Sequence, residues 1–268
     1  MGSGDTGLSR GGAPAVALVV PCLDEREVLP VMVPRFASAV RALAERGEAS
    51  PRSRVLLVDD GSSDGTWDVV ERAARDEAPY VMGLGLARNL GQQRALFAGL
   101  MEACGHVDVA VTLDCDGQDD VSAIPRMLDA YRSGAQVVYG VRGRRDGDTV
   151  AKRVSARLFY RAMGALRGGV VFDHADFRLM AAPVLDALAA WGDGEGLFLR
   201  GVVPRLGFPG ARVEYDRGER VAGETHYSLR KMASLAVSGL RATATPPKGA
   251  RHASCAHLVE RRVGSWEG

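Results

Sequence analysis

The stretch RVLLVDDGSSDGT, Arg54 to Thr66, changes character halfway along. Its first half is a short apolar run, ending in Asp59 and Asp60, that reads as a strand buried on both faces. Its second half is turn chemistry, in which Asp64 or Thr66 can cap a helix over about 65–77. Outward from this unit the same alternation repeats. AVALVV (15–20), VMGLGLAR (81–88), VDVAVTLD (107–114) and AQVVYGVR (135–142) read as further buried strands, and 26–46, 91–104 and 121–132 carry helical patterns. Strand, helix, strand at this spacing predicts an α/β fold with right-handed crossovers, a mostly parallel sheet flanked by helices, and ligands beyond the carboxyl ends of the strands.

The composition bounds the function classes. A chain of 268 residues that is 46% hydrophobic can bury a full-sized core. With 34 basic and 33 acidic residues there is no global field for nucleic acid, which argues against a general DNA or RNA binder. Cys22, Cys104, Cys115 and Cys255 form no CxxC pair and point to a reducing cytoplasm without disulfides. Residues 1–14 read as a disordered polar leader without an apolar h-region, and no apolar run reaches the roughly 18 to 20 residues that cross a bilayer.

The polar clusters fall at the five strand ends: PCLDE, DDGSSDGT, RNLGQQ, DCDGQDD and GVRGRR. Turn chemistry explains any one of them; five in succession predict a site. VTLDCDGQDD, Val111 to Asp120, is the most charged. Asp114 and Asp116 can point toward one cation with Gln118 adding a neutral oxygen, a hard-oxygen set that suits Mg²⁺ or Mn²⁺ sharing its shell with substrate phosphates.

DxD alone is a weak signal, but it stands in a longer series. VVPCLDEREVLP, LLVDDGSSDGTWDVV, LARNLGQQRALFAGL, VTLDCDGQDD, VVYGVRGRR, SARLFYRAM, ADFRLM, FLRG and AGETHYSLRKM occur in this order from about Ala15 to Arg241. The series resembles the family 2 inverting glycosyltransferases of GT-A (Rossmann-like) fold, and within them the polyprenyl-phosphate glycosyltransferases. The resemblance implies metal-dependent inverting transfer of a hexosyl group from a UDP- or GDP-sugar to a polyprenyl phosphate. By the same resemblance Pro21, Glu25, Asp59 and Asp60 hold the donor nucleoside, Asp114, Asp116 and Gln118 form the metal and diphosphate group, and Cys115 lies with them on the donor side. Arg142, Arg220 and His226 complete the donor side. Asp176, with Asp173 as a neighbour that can substitute, is the catalytic carboxylate on the acceptor side together with Asp116; a helix cap before MAAPVLDAL is the alternative. Lys152, Arg153, Arg157 and Arg178 would hold the acceptor phosphate. A phosphomonoester, with a second pKa near 6, is largely dianionic at neutral pH and needs no strong general base.

Two departures from the family pattern stand out. PCLDE replaces the common PxYNE, so Leu23 lacks a ring to pack on the donor base, and GETHYS places His226 where a lysine is common. The domain so implied covers 15–226. Leu229, Met232, Leu235, Ala236 and Leu240 then recur at helical spacing over 227–241, an amphipathic helix that either lies at a membrane interface or packs on the sheet. Residues 242–268 read as a disordered tail, in which His252, Cys255 and His257 lack zinc spacing. Expected partners are a nucleotide sugar, a polyprenyl phosphate at the cytoplasmic face of the membrane, where the chain would be peripheral, and a membrane-anchor subunit; nucleic acid is not expected. Two rival readings stay open: a family 2 enzyme with a soluble glycan or small-molecule acceptor, and an inactive sugar-nucleotide binding module.

Overall fold

A computed structural model describes residues 12–143, 174–192, 197–218 and 258–267. The five expected strands form as β1 (Val16–Cys22), β2 (Arg54–Asp59), β3 (Val81–Leu86), β4 (Val109–Thr112) and β5 (Val137–Arg142). Helices α1 (Leu29–Glu45), α2 (Thr66–Asp76), α3 (Gln92–Ala103) and α4 (Ile124–Arg132) fill the four intervals, and a 3₁₀ turn at Val121–Ala123 leads into α4. They are followed by β6 (His174–Ala181), α5 (Ala182–Trp191), α6 (Leu199–Arg205), β7 (Gly210–Tyr215) and β8 (Val259–Val263).

The eight strands form one sheet in the order β7-β5-β6-β4-β1-β2-β3-β8. β3, β2, β1 and β4 are mutually parallel, β7 is parallel to β5, and only β6 and β8 run against their neighbours. The sheet is thus mostly parallel, as the alternation of elements implies, but β6 separates β4 from β5. Alternate residues of the strands feed two cores. Val16, Leu18 and Val20 meet Leu29, Met32, Phe36 and Val40 of α1 on one face, whereas Ala17 and Val19 meet Leu96, Phe97 and Leu100 of α3 on the other. Burial on both faces is what makes the central strands continuous apolar runs in the sequence.

Of the elements that escaped the sequence reading, strands β6 and β8 did so for clear physical reasons. HADFRLMA carries Asp176 and Arg178 on alternate positions; Phe177 and Leu179 are core residues, while the two charges neutralise each other within the sheet at 2.5 Å. The alternative of a helix cap at Asp176 also falls, because α5 begins at Ala182. VERRV is too polar to be recognised as a strand, yet it pairs with β3. An edge strand needs little apolar surface. The expected disordered tail over 242–268 is therefore corrected for its last part, since β8 is an ordered member of the sheet. Residues 1–11 of the expected leader 1–14 and the amphipathic helix over 227–241 lie outside the described residues, while Pro14 is buried and accepts from the Ser50 N–H at 2.8 Å. Among those described, no helix is long and apolar enough to cross a membrane.

Candidate active site

The loops after β1, β2 and β3 are laced into one surface by side chains capturing backbone groups. Asp24, held at φ 53°, accepts from the Ser63 N–H at 2.9 Å, and its own N–H donates to Ser62 Oγ at 2.9 Å. The Glu25 N–H donates to Thr66 Oγ1 at 2.9 Å, and the Arg26 N–H to Asp64 Oδ2 at 3.1 Å. Asp64 Oδ1 also accepts from the Thr66 N–H at 2.9 Å, an Asx turn leading into α2; the expected cap by Asp64 or Thr66 is corrected, because the N-cap is Gly65 and no side chain caps the helix. Both oxygens of Asp60 accept backbone N–H groups, from Leu90 and Gly91 at 2.8 Å each. Asp60, expected to hold the donor nucleoside, is thus a clamp between the β2 and β3 loops. Pro21 lies buried within β1 opposite Val58. Asp59 is fully buried at the end of β2, with Oδ1 accepting from the Ser62 N–H at 3.1 Å.

At the end of β4 the four carboxylates of DCDGQDD divide into two kinds. Asp120 caps the following 3₁₀ turn through the Ser122 N–H at 2.9 Å. Asp119 Oδ2 accepts from the Asp114 N–H at 3.1 Å, and its Oδ1 accepts from the Tyr215 hydroxyl of β7 at 2.7 Å. These two fold the loop. Asp116 Oδ1 accepts the Gln118 N–H at 3.0 Å across a tight turn, and Asp114 Oδ1 accepts from Gln92 Nε2, at the start of α3, at 2.7 Å. The Gln118 side chain is turned to Arg217. Cys115 points its side chain inward into the core, 4% exposed, so a donor contact at this position would come from its backbone.

Because β6 runs against β4, its beginning meets the end of β4: Arg178 pairs with Thr112, and Asp176 lies beyond it toward Asp114. Asp176 is 2% exposed and accepts from Arg178 Nη2 at 2.5 Å, Arg200 Nη2 at 2.9 Å and Gln93 Nε2 at 3.2 Å. Arg178 is itself only 1% exposed. Its expected role at the acceptor phosphate is therefore corrected: it is a buried counter-ion of Asp176. Among the described residues the exposed partner of Asp176 is Arg200 on α6, 40% exposed at its side chain, which the sequence reading passed over although FLRG contains it. Gln92 and Gln93 were missed in the same way within RNLGQQ; only the tertiary pairing of α3 with β4 and β6 gives them partners.

The electrostatics follow from crowding. Burial, then Asp119, Asp176 and Asp116, push the Asp114 carboxyl up to about 8. Burial raises Asp119 as well, against the hydrogen bond from Tyr215 and the charge of Arg142. Arg142, expected near the donor phosphates, ends β5 beside this pair. Negative charge at this strand end is thus in excess of what its neighbours neutralise, and hard oxygen donors carry it, which fits a divalent cation. Among the described residues no three His, Cys, Asp or Glu side chains form a cage that could hold a metal by themselves. Asp173, Lys152, Arg153, Arg157, Arg220 and His226 lie outside the described residues.

Residues 17–188, from β1 to α5, match the model of the family described as "Glycosyl transferase family 2". The chain belongs to glycosyl transferase family 2. Within it the chain is 42% identical over 235 residues to YkoT, an uncharacterized glycosyltransferase of Bacillus subtilis (strain 168), covering 87% of this chain and 69% of that one. It is 32% identical over 233 residues to a prophage bactoprenol glucosyl transferase homolog of Escherichia coli (strain K12), covering 87% and 73%. Among solved structures, the fold is similar to a mannosyltransferase of Pyrobaculum calidifontis in complex with GDP-Man and Mn²⁺, with TM-score 0.58 and 17% identity over 85% of this chain and 64% of that one. It is also similar to glucosyl-3-phosphoglycerate synthase of Mycobacterium tuberculosis in complex with Mn²⁺, UDP-glucose and phosphoglyceric acid, with TM-score 0.57 and 18% identity over 88% and 82%. These likenesses establish the GT-A fold of this family 2 chain.

Proposed function

We propose that this family 2 glycosyltransferase moves a hexosyl group from a UDP- or GDP-sugar to a polyprenyl phosphate, with inversion and with Mg²⁺ or Mn²⁺. The observation that carries the reading is the meeting of Asp114 and Asp116 at the end of β4 with Asp176 and Arg200 across the β4–β6 pair. Relatives named as bactoprenol glucosyl transferases support the acceptor class.

Asp114 and Asp116, with the Gln118 amide, would hold the cation, which when bound neutralises charge on a leaving diphosphate. The chain's own residues do the rest. Gln92 orients Asp114 through its 2.7 Å hydrogen bond. The hydrogen bond from the Tyr215 hydroxyl to Asp119 ties the loop to β7. Arg142 stands near Asp119 and Arg200 is paired with Asp176, and a guanidinium is suited to phosphate oxygens. A dianionic phosphate acceptor brings its own nucleophile, so Asp176 acts by holding Arg200 rather than by removing a proton. Peripheral attachment at the cytoplasmic face, with a membrane-anchor subunit, belongs to the same proposal.

The test is transfer of radiolabelled sugar from UDP- and GDP-sugars to a short-chain polyprenyl phosphate with Mg²⁺ or Mn²⁺. Wild-type protein should give a metal-dependent, organic-extractable product, and Asp116→Ala should lower its rate by roughly a hundredfold or more. Sugar transferred only to water-soluble acceptors would replace the lipid reading with a soluble-acceptor enzyme.

A further inference from the structure

Asp59 of β2, Gly85 of β3 and Arg261 of β8 form one row across the sheet, because Asp59 is in register with Gly85 and Gly85 with Arg261. The middle position carries no side chain, and this matters sterically. A Cβ on Gly85 would stand 3.0 Å from the Trp67 ring and 3.2 Å from Arg261 Cβ. Across that gap the Arg261 guanidinium lies 4.7 Å from the centroid of the Trp67 ring and brings Nη2 to 3.8 Å from Asp59 Oδ2. Asp59 is fully buried, and its Oδ2 accepts no hydrogen bond among the described residues. A carboxylate left so in a protein interior is costly unless a charge balances it and a ligand completes it.

We infer that Arg261 is a positioning residue of the donor site, so that the last described strand completes the nucleoside pocket. Arg261 faces the Asp59 carboxylate and aims it, leaving Oδ2 to accept a ring N–H such as uracil or guanine presents and adenine lacks. Its neighbour Arg262 points elsewhere, to Glu102 of α3 at 3.1 and 3.2 Å, and fastens β8 to the opposite layer. The two arginines therefore separate docking of the strand from service to Asp59. The inference rests on the donor-site reading of Asp59 given above.

Calorimetric titration of UDP, GDP and ADP in the presence of Mn²⁺ tests it on the full chain, for wild type, Arg261→Ala, Arg261→Lys and Arg262→Ala, each with a thermal melt. Arg261→Ala should weaken whichever of UDP and GDP binds by about tenfold, the size expected for one charge-assisted contact. Arg261→Lys should recover most of that loss, and Arg262→Ala should lower the melting temperature while leaving the affinity unchanged. Should Arg261→Ala not fold, Arg261→Gln keeps the packing on Trp67 without the charge and serves in its place. Unchanged affinity in the Arg261 variants, or an equal loss in Arg262→Ala, overturns the inference and leaves the donor site standing. Wild-type protein that binds neither UDP nor GDP removes the donor-site reading and the inference with it.

Discussion

Asp176 is pulled on from both sides, by a guanidinium that never sees solvent and by one that does. Replacing it with asparagine leaves Arg178 buried without a counter-charge, and breaking such a pair costs about 3–5 kcal/mol. Urea denaturation of Asp176→Asn should show that loss; a variant as stable as wild type would mean Asp176 is not the structural partner of Arg178. Asp114 makes a pH prediction. Its folded pKa, pushed up to about 8 by burial and its carboxylate neighbours, lies above the unfolded value near 3.9. Between these values the folded chain binds a proton that the unfolded chain does not, so this group's contribution to stability is full below pH 4 and declines as pH rises to 8. Melts of the metal-free protein from pH 5 to 8 should therefore fall more steeply for wild type than for Asp114→Asn. The residue types of this cluster were legible in DCDGQDD, but the division of labour was not. Which carboxylates fold the loop depends on Tyr215, ninety-six positions away, and on Gln92.

At the scale of elements, α3 sets the floor of the site because it lies unusually close to the sheet. A Cβ at Gly99 would fall 2.5 Å from Val19 Cγ1 and 2.7 Å from Val58 Cγ2. Alanine there gains about 1 kcal/mol of helix propensity but forces α3 away from β1 and β2, an overpacking cost of roughly 1–3 kcal/mol. Gly99→Ala should be net destabilising by about 1 kcal/mol in chemical denaturation. It should also weaken nucleotide-sugar transfer, since Gln92 and Gln93 move with the helix; unaltered activity and stability would show that the sheet yields. β6 behaves differently from the other interior strands. Its reversed direction is what brings Asp176 to the same edge as Asp114, a juxtaposition no periodicity could announce.

Across the whole molecule, β8 closes an edge that would otherwise be exposed. Met82, Leu84 and Leu86 of β3 are buried in the core, and without β8 the backbone groups along that edge lose their partners. Removal of residues 258–268 should therefore lower the melting temperature and produce concentration-dependent light scattering at micromolar protein; a monodisperse, equally stable truncation would make β8 dispensable. The sequence by itself determined the repeating strand–helix order, the edge of the sheet where the polar clusters gather, and the family. All three depend on local patterns, since doubly buried strands and turn-forming strand ends are written in consecutive residues. Only the tertiary structure decided that β6, β7 and β8 join the sheet, that Arg178 is a buried counter-ion of Asp176 while Arg200 is its exposed partner, and that Arg261 reaches Asp59. These are pairings between distant and mostly polar residues, whose energy lies in mutual neutralisation and therefore leaves no periodic mark on either partner alone.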